Sequence, residues 1–148
     1  MNFYDPTTAP AVFDVVWCKW PQREARGMPG QIVRGVLVLD VRLMVDVDGT
    51  EWAAVTVAYG TGAENVSEAQ RANHLMIGDG EFRGLGLHKP TLFKLDPQNR
   101  QRLPWAEEYF VTQGYVRSQN LVAGSLNAVQ QATVLSGFKA RGLAFPLP

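Results

Sequence analysis

The stretch IVRGVLVLDVRLMVDVDGTEWAAVTVAY, residues 32–59, decides the fold. Asp40 and Arg42 alternate with Val41, Leu43 and Val45, the pattern of a strand with one wet face. Asp48-Gly49 is a hairpin-turn pair, and residues 51–59 return through Val55, Thr56, Val57 and Tyr59, side chains that fit a pleated surface. A long antiparallel hairpin is the prediction. Upstream, residues 13–20 read Phe-Asp-Val-Val-Trp-Cys-Lys-Trp and stop at Pro21, which predicts a first strand. Between it and the hairpin lie residues 21–31, where Pro21, Gly27, Pro29 and Gly30 stand among charges, a loop long enough to be functional.

Downstream, Gly60-Thr61-Gly62 breaks the β pattern, and Ser67-Glu68-Ala69-Gln70 has capping-box spacing, which predicts a two-turn helix over residues 67–73. Short strands are predicted at 74–77, 91–95 and 100–103, separated by Gly78-Asp79-Gly80 and Asp96-Pro97. Residues 121–141 are expected to form a terminal helix, because Leu126, Val129, Ala132, Leu135 and Phe138 recur at helix-compatible spacing before Gly142. Residues 1–10 are expected to be a flexible leader. The chain as a whole, 1–148, reads as one mainly β domain with added helices.

Composition excludes several classes. With 14 basic and 14 acidic residues the net charge is zero, so the whole surface is no polyanion glove. Two stretches are locally basic: Lys19, Arg23, Arg26, Arg34 and Arg42 against Glu24 and Asp40, then Arg83, Lys89, Lys94, Arg100 and Arg102 against Asp96. They are expected to be either one patch or an ordinary solvated surface. Cys18 has no partner for an internal disulfide, and within an apolar strand it reads as an inert buried thiol. No apolar run is long enough for a membrane helix, and Asp5-Pro6 spoils a signal peptide, so a soluble cytoplasmic protein with no membrane partner is expected.

Familiar catalytic patterns are missing. His74 and His88 stand without ligand spacing for zinc and read as surface or packing residues. Gly78, Gly80, Gly84 and Gly86 do not open a helix after a strand, and read as turns rather than a phosphate loop. Arg34 remains, at the start of one hairpin strand, with Thr61 leaving the other. Antiparallel pairing brings the start of one strand beside the end of the next, so guanidinium and hydroxyl can share a phosphate-binding pocket. The plainer account pairs Arg34 with a carboxylate and leaves Thr61 closing a turn.

Three segments carry a family resemblance: Phe13-Asp14-Val15-Val16-Trp17-Cys18, Arg34-Gly35-Val36-Leu37-Val38-Leu39, and Val55-Thr56-Val57-Ala58-Tyr59-Gly60-Thr61. Together they resemble the MazF/PemK (Kid) family of type II toxin-antitoxin toxins. The run Leu87-His88-Lys89-Pro90-Thr91-Leu92-Phe93-Lys94-Leu95, with Arg102-Leu103-Pro104-Trp105, resembles a later strand pair of PemK-like growth inhibitors. Gly35 stands where that family usually has proline and Gly62 where it often has serine; Gly35 is expected to loosen the backbone beside Arg34. The resemblance implies an SH3-like β-barrel with a C-terminal helix, a homodimer, a cognate antitoxin, and metal-independent, sequence-dependent cleavage of single-stranded RNA with no cofactor. It implies catalytic roles for Arg34 and Thr61.

Such cleavage uses the 2′-hydroxyl of the RNA as nucleophile, so the protein supplies alignment, proton transfer and charge stabilisation. Arg34 would stabilise the anionic phosphorane and Thr61 would donate to a phosphate or leaving oxygen. Arginine is a poor base, so the proton acceptor stays open, with Glu24 and Glu64 as candidates. The loop 21–31 would cover the substrate with Arg23 and Arg26 on phosphates and Lys19 nearby, while Trp17 or Trp20 offers a stacking face. Leu85, Leu87 and Trp105 are expected as exposed apolar surface for the dimer. The alternative is a catalytically silent SH3-like barrel acting as a protein-interaction module.

Overall fold

A computed structural model of the chain describes residues 1–112 and 120–147. Eight antiparallel strands and one helix build it: β1 Asp14–Lys19, β2 Val33–Val45, β3 Glu51–Gly62, β4 Leu75–Ile77, β5 Thr91–Phe93, β6 Arg100–Pro104, β7 Phe110–Val111, β8 Val122–Ser125, and α1 Ala128–Ala140. The hydrogen-bonded order is β4-β5-β3-β2-β1-β7, with β6 also on β3 and β8 also on β1. The predicted hairpin forms as β2–β3, and it lies at the centre of the sheet. Val36 pairs with Tyr59 and Val38 with Val57; then a bulge at Leu39 shifts the register, so that Asp40 faces Thr56.

β1 explains why residues 14–18 read as a nearly continuous apolar run rather than an alternating one: both of its faces are covered. Val15 and Trp17 join Leu37, Leu39, Phe93, Phe138 and others in one core cluster. Val16 and Cys18 join Val36, Val38, Val57, Trp105 and Phe110 in a second, on the opposite face. Burial pushes the Cys18 thiol far above its ordinary pKa, which keeps it protonated.

The leader corrects an expectation. Phe3 bridges Ala106, the Tyr4 amide donates to the Trp105 carbonyl, and the Tyr4 hydroxyl donates to the Phe110 carbonyl at 2.7 Å. Tyr4 and Ala9 pack on the second cluster, so these residues close the wet side that a single sheet would leave there. Residues 121–141 are a second correction. The helix covers only Ala128–Ala140, and Val122–Ser125 is strand β8 on β1. Asn127 caps the helix by accepting from the Gln130 amide. The buried stripe is Gln130, Val134, Gly137 and Phe138, whereas Val129 and Leu135 face water. Residues 67–73 hold a 3₁₀ turn, Glu68–Arg71, behind the capping box. No helix among the described residues is long and apolar enough to cross a membrane.

Leu85, Leu87 and Trp105 are not exposed: they are 3%, 6% and 0% accessible within the single chain. The 3₁₀ turn Phe82–Leu85 packs against β8, where a Cβ on Gly124 would lie 2.6 Å from the Leu85 Cα. The large apolar residues facing water are elsewhere, among them Leu43, Val45 and Val47 near the hairpin tip.

Candidate functional site

The β2–β3 ladder ends at Val36↔Tyr59, so Gly35 and Gly60 lie one residue beyond its end and Arg34 and Thr61 two. The two glycines nearly touch: a Cβ on Gly60 would sit 2.3 Å from the Gly35 carbonyl oxygen. Just past this side-chain-free pair the strands part, β2 towards the loop and β3 towards β5, with Thr61 in register with Leu92. A cavity of about 300 Å³ opens there, with Arg34, Thr61, Trp17, Asn65, His88 and Lys89 in its wall.

Arg34 is half-buried, with its Cζ 5.1 Å from the Tyr59 ring centroid, and Tyr59 rests in turn on Trp20 at 5.2 Å. The contact holds the guanidinium by cation–π attraction, typically about 0.5–1 kcal/mol. Among the described residues Arg34 has no carboxylate partner; the ion pairs are Arg42–Asp40 and Lys89–Glu64. A charged group with an aromatic seat and no counter-ion is suited to an incoming anion. Gly35 is not loose: it lies inside β2, buried, and a Cβ there would meet Leu87 at 2.6 Å, so its small size admits that leucine.

The remaining candidates divide. Trp20, Arg23 and Arg26 line a neighbouring cavity of about 230 Å³, which Arg34 also borders. The loop is tied over this second cavity by Arg26 to the Gln98 carbonyl at 3.4 Å, and Tyr109 secures Gly27 at 3.2 Å. Arg34 is thus a shared wall. Trp17 and Trp20 are each 8% accessible, so both serve mainly as core and give only an edge to a cavity. Lys19, Glu24 and Glu64 line neither. Glu64 is exposed and held by Lys89 Nζ at 2.6 Å, a hydrogen bond that lowers its pKa and so weakens it as a base.

Sequence reasoning passed over His88. It sits in the wall of the Arg34 cavity, exposed, with its ring 5.0 Å from that of Trp17. No spacing signal marks it; only the fold brings it beside Arg34, 54 positions away. His74 is a packing residue as read: Nδ1 accepts from the Leu95 amide at 2.9 Å, and burial, then Arg141, lower its pKa. Among the described residues no three of His, Cys, Asp and Glu converge as metal ligands. No family model, curated protein or solved structure matches the chain.

Proposed function

We propose that this chain is an SH3-like barrel of the MazF/PemK type, the toxin of a type II toxin-antitoxin system, which cleaves single-stranded RNA without metal through the substrate's own 2′-hydroxyl. The observation that carries this reading is the common cavity of Arg34 and Thr61, with Arg34 uncompensated by any described carboxylate. Supporting the barrel is a core cluster shared by β1, β2, β4 and the turn Phe82–Leu85, elements that lie apart in the strand order.

The chemistry follows from residue types. A phosphodiester enters with its non-bridging oxygens towards Arg34, which offsets the second negative charge of the phosphorane. The Thr61 hydroxyl donates to a phosphate or leaving oxygen. The adjoining cavity with Arg23 and Arg26 receives the neighbouring phosphate. A homodimer and a cognate antitoxin complete the reading by resemblance. A second reading, the silent barrel that binds a protein, is favoured by Leu43, Val45 and Val47, exposed at 61%, 62% and 109% along the hairpin end.

The deciding experiment offers diverse single-stranded RNAs with EDTA present. The parent is expected to cut and leave a 2′,3′-cyclic phosphate, and 2′-O-methylation at the scissile nucleotide to stop it. Arg34→Ala should abolish cleavage, and Thr61→Ala should lower it roughly 10²-fold or more, with thermal midpoints near that of the parent. A parent that cuts none of them sinks the toxin reading and leaves the binding barrel.

A further inference from the structure

The cavity holds charge stabilisers, yet the reaction also needs a group that takes a proton. Among the described residues its polar aliphatic, amide, imidazole and cationic side chains are Arg34, Thr61, Asn65, His88, Lys89 and Thr91. Guanidinium and ammonium groups already hold their protons, and amide and hydroxyl groups are too weakly basic to accept one near neutral pH. Imidazole alone among these side-chain types both accepts and donates there. The two carboxylates offered by the sequence are less suited: Glu24 lines neither cavity, and the Glu64 carboxylate, which lies against Gly62 of the wall, is held by Lys89.

We propose that His88 is a catalytic residue, the general base that takes the 2′-hydroxyl proton of the RNA bound at Arg34 and Thr61. This rests on the ribonuclease reading above and assigns the role that Arg34 and Thr61 leave vacant. The step balances as follows. The 2′-oxygen forms a bond to phosphorus as its proton passes to a ring nitrogen of His88, and the bond from phosphorus to the 5′-oxygen breaks. The departing oxygen takes a proton from water, and His88 returns its own to solvent, which leaves a cyclic phosphate and a 5′-hydroxyl. The ring packs against Trp17, whose indole belongs to the core, so one side of the base has a rigid neighbour. Among the described residues, the charged groups in and against the cavity wall are Arg34 from β2, Lys89 next to His88 in the chain, and Glu64, bound to Lys89, from the turn Ala63–Asn65.

The test measures single-turnover cleavage against pH for the parent, His88→Gln and His88→Ala, alongside binding of the uncleavable 2′-O-methyl RNA. His88→Gln should lower cleavage about 10²–10⁴-fold, the usual share of a general base, while binding of the methylated RNA changes less than about twofold. The acid limb of the parent's pH profile should vanish in the variant, and added imidazole should restore part of the activity of His88→Ala. A merely structural role would give neither result. If His88→Gln cuts as the parent does, or loses binding in proportion to cleavage, the base assignment falls while the ribonuclease reading stands. A parent that cuts nothing removes both.

Discussion

The two ends of the β2–β3 ladder use the same antiparallel pairing for opposite ends. At the tip, side chains close the structure: Asp48 Oδ1 accepts from the Thr50 amide, Asp46 Oδ1 accepts from Trp52 Nε1 at 2.9 Å, and Phe3 stacks on Trp52. At the other end, Gly35 and Gly60 remove side chains, the backbones draw close, and the space beyond is left to Arg34, Thr61 and His88. One end spends its side chains on its own turn. The other withholds them, and the charged group there has no carboxylate partner among the described residues. The comparison teaches that a site in a small sheet can be made by omission, by a gap in the side-chain ladder that the fold holds open.

The largest expected effect tests that gap. Gly60→Ala would drive a Cβ into the Gly35 carbonyl, backbone against backbone, and should cost about 3 kcal/mol, the upper end of overpacking, in urea denaturation. Gly49→Ala at the tip meets no atom within 4 Å and costs only its φ of 87°, about 1 kcal/mol. Equal losses at the two positions would break the comparison. Next comes the loop: Arg23→Ala with Arg26→Ala should leave stability within about 0.5 kcal/mol and lower the salt slope of RNA binding by up to about two. An unchanged slope would return the loop to ordinary surface. Smallest is Lys89→Met. Because the Lys89 hydrogen bond holds the Glu64 carboxyl below its ordinary value, its loss should move that pKa upward, as read by a carboxyl-carbon NMR titration. A fixed value would mean that the ion pair does not form in solution.

The central hairpin was legible because its residues state two things at once: β-branched runs for strands and Asp48-Gly49 for the turn. The Arg34–Thr61 meeting followed from pairing alone. Residues 121–125 were misread because Ala123, Gly124 and Ser125 carry no periodicity, and their strand character comes from β1, which lends them hydrogen bonds. The helix's true inward stripe includes Gln130, buried because Glu81 accepts from its Nε2 at 2.6 Å, a partner that no hydrophobic pattern announces. His88 escaped for a similar reason. Its place in the cavity wall depends on which loop folds beside Arg34, and Leu87 seated against Gly35 fixes that loop.

The covering of the second core face by residues 2–9 bears on how the chain is born. A ribosome releases those residues before the rest of this sheet, at about 5–20 residues per second, and their seats at Trp105, Ala106 and Phe110 emerge about a hundred residues later. Likewise β1, next to the end of the order β4-β5-β3-β2-β1-β7, waits for β7 and β8 to complete its outer edge. For most of synthesis Val16, Cys18, Val36 and Val38 therefore lack the cover that those later residues give them. A stalled or truncated chain ending before residue 105 would keep that face open, making it a natural target for chaperones and for aggregation.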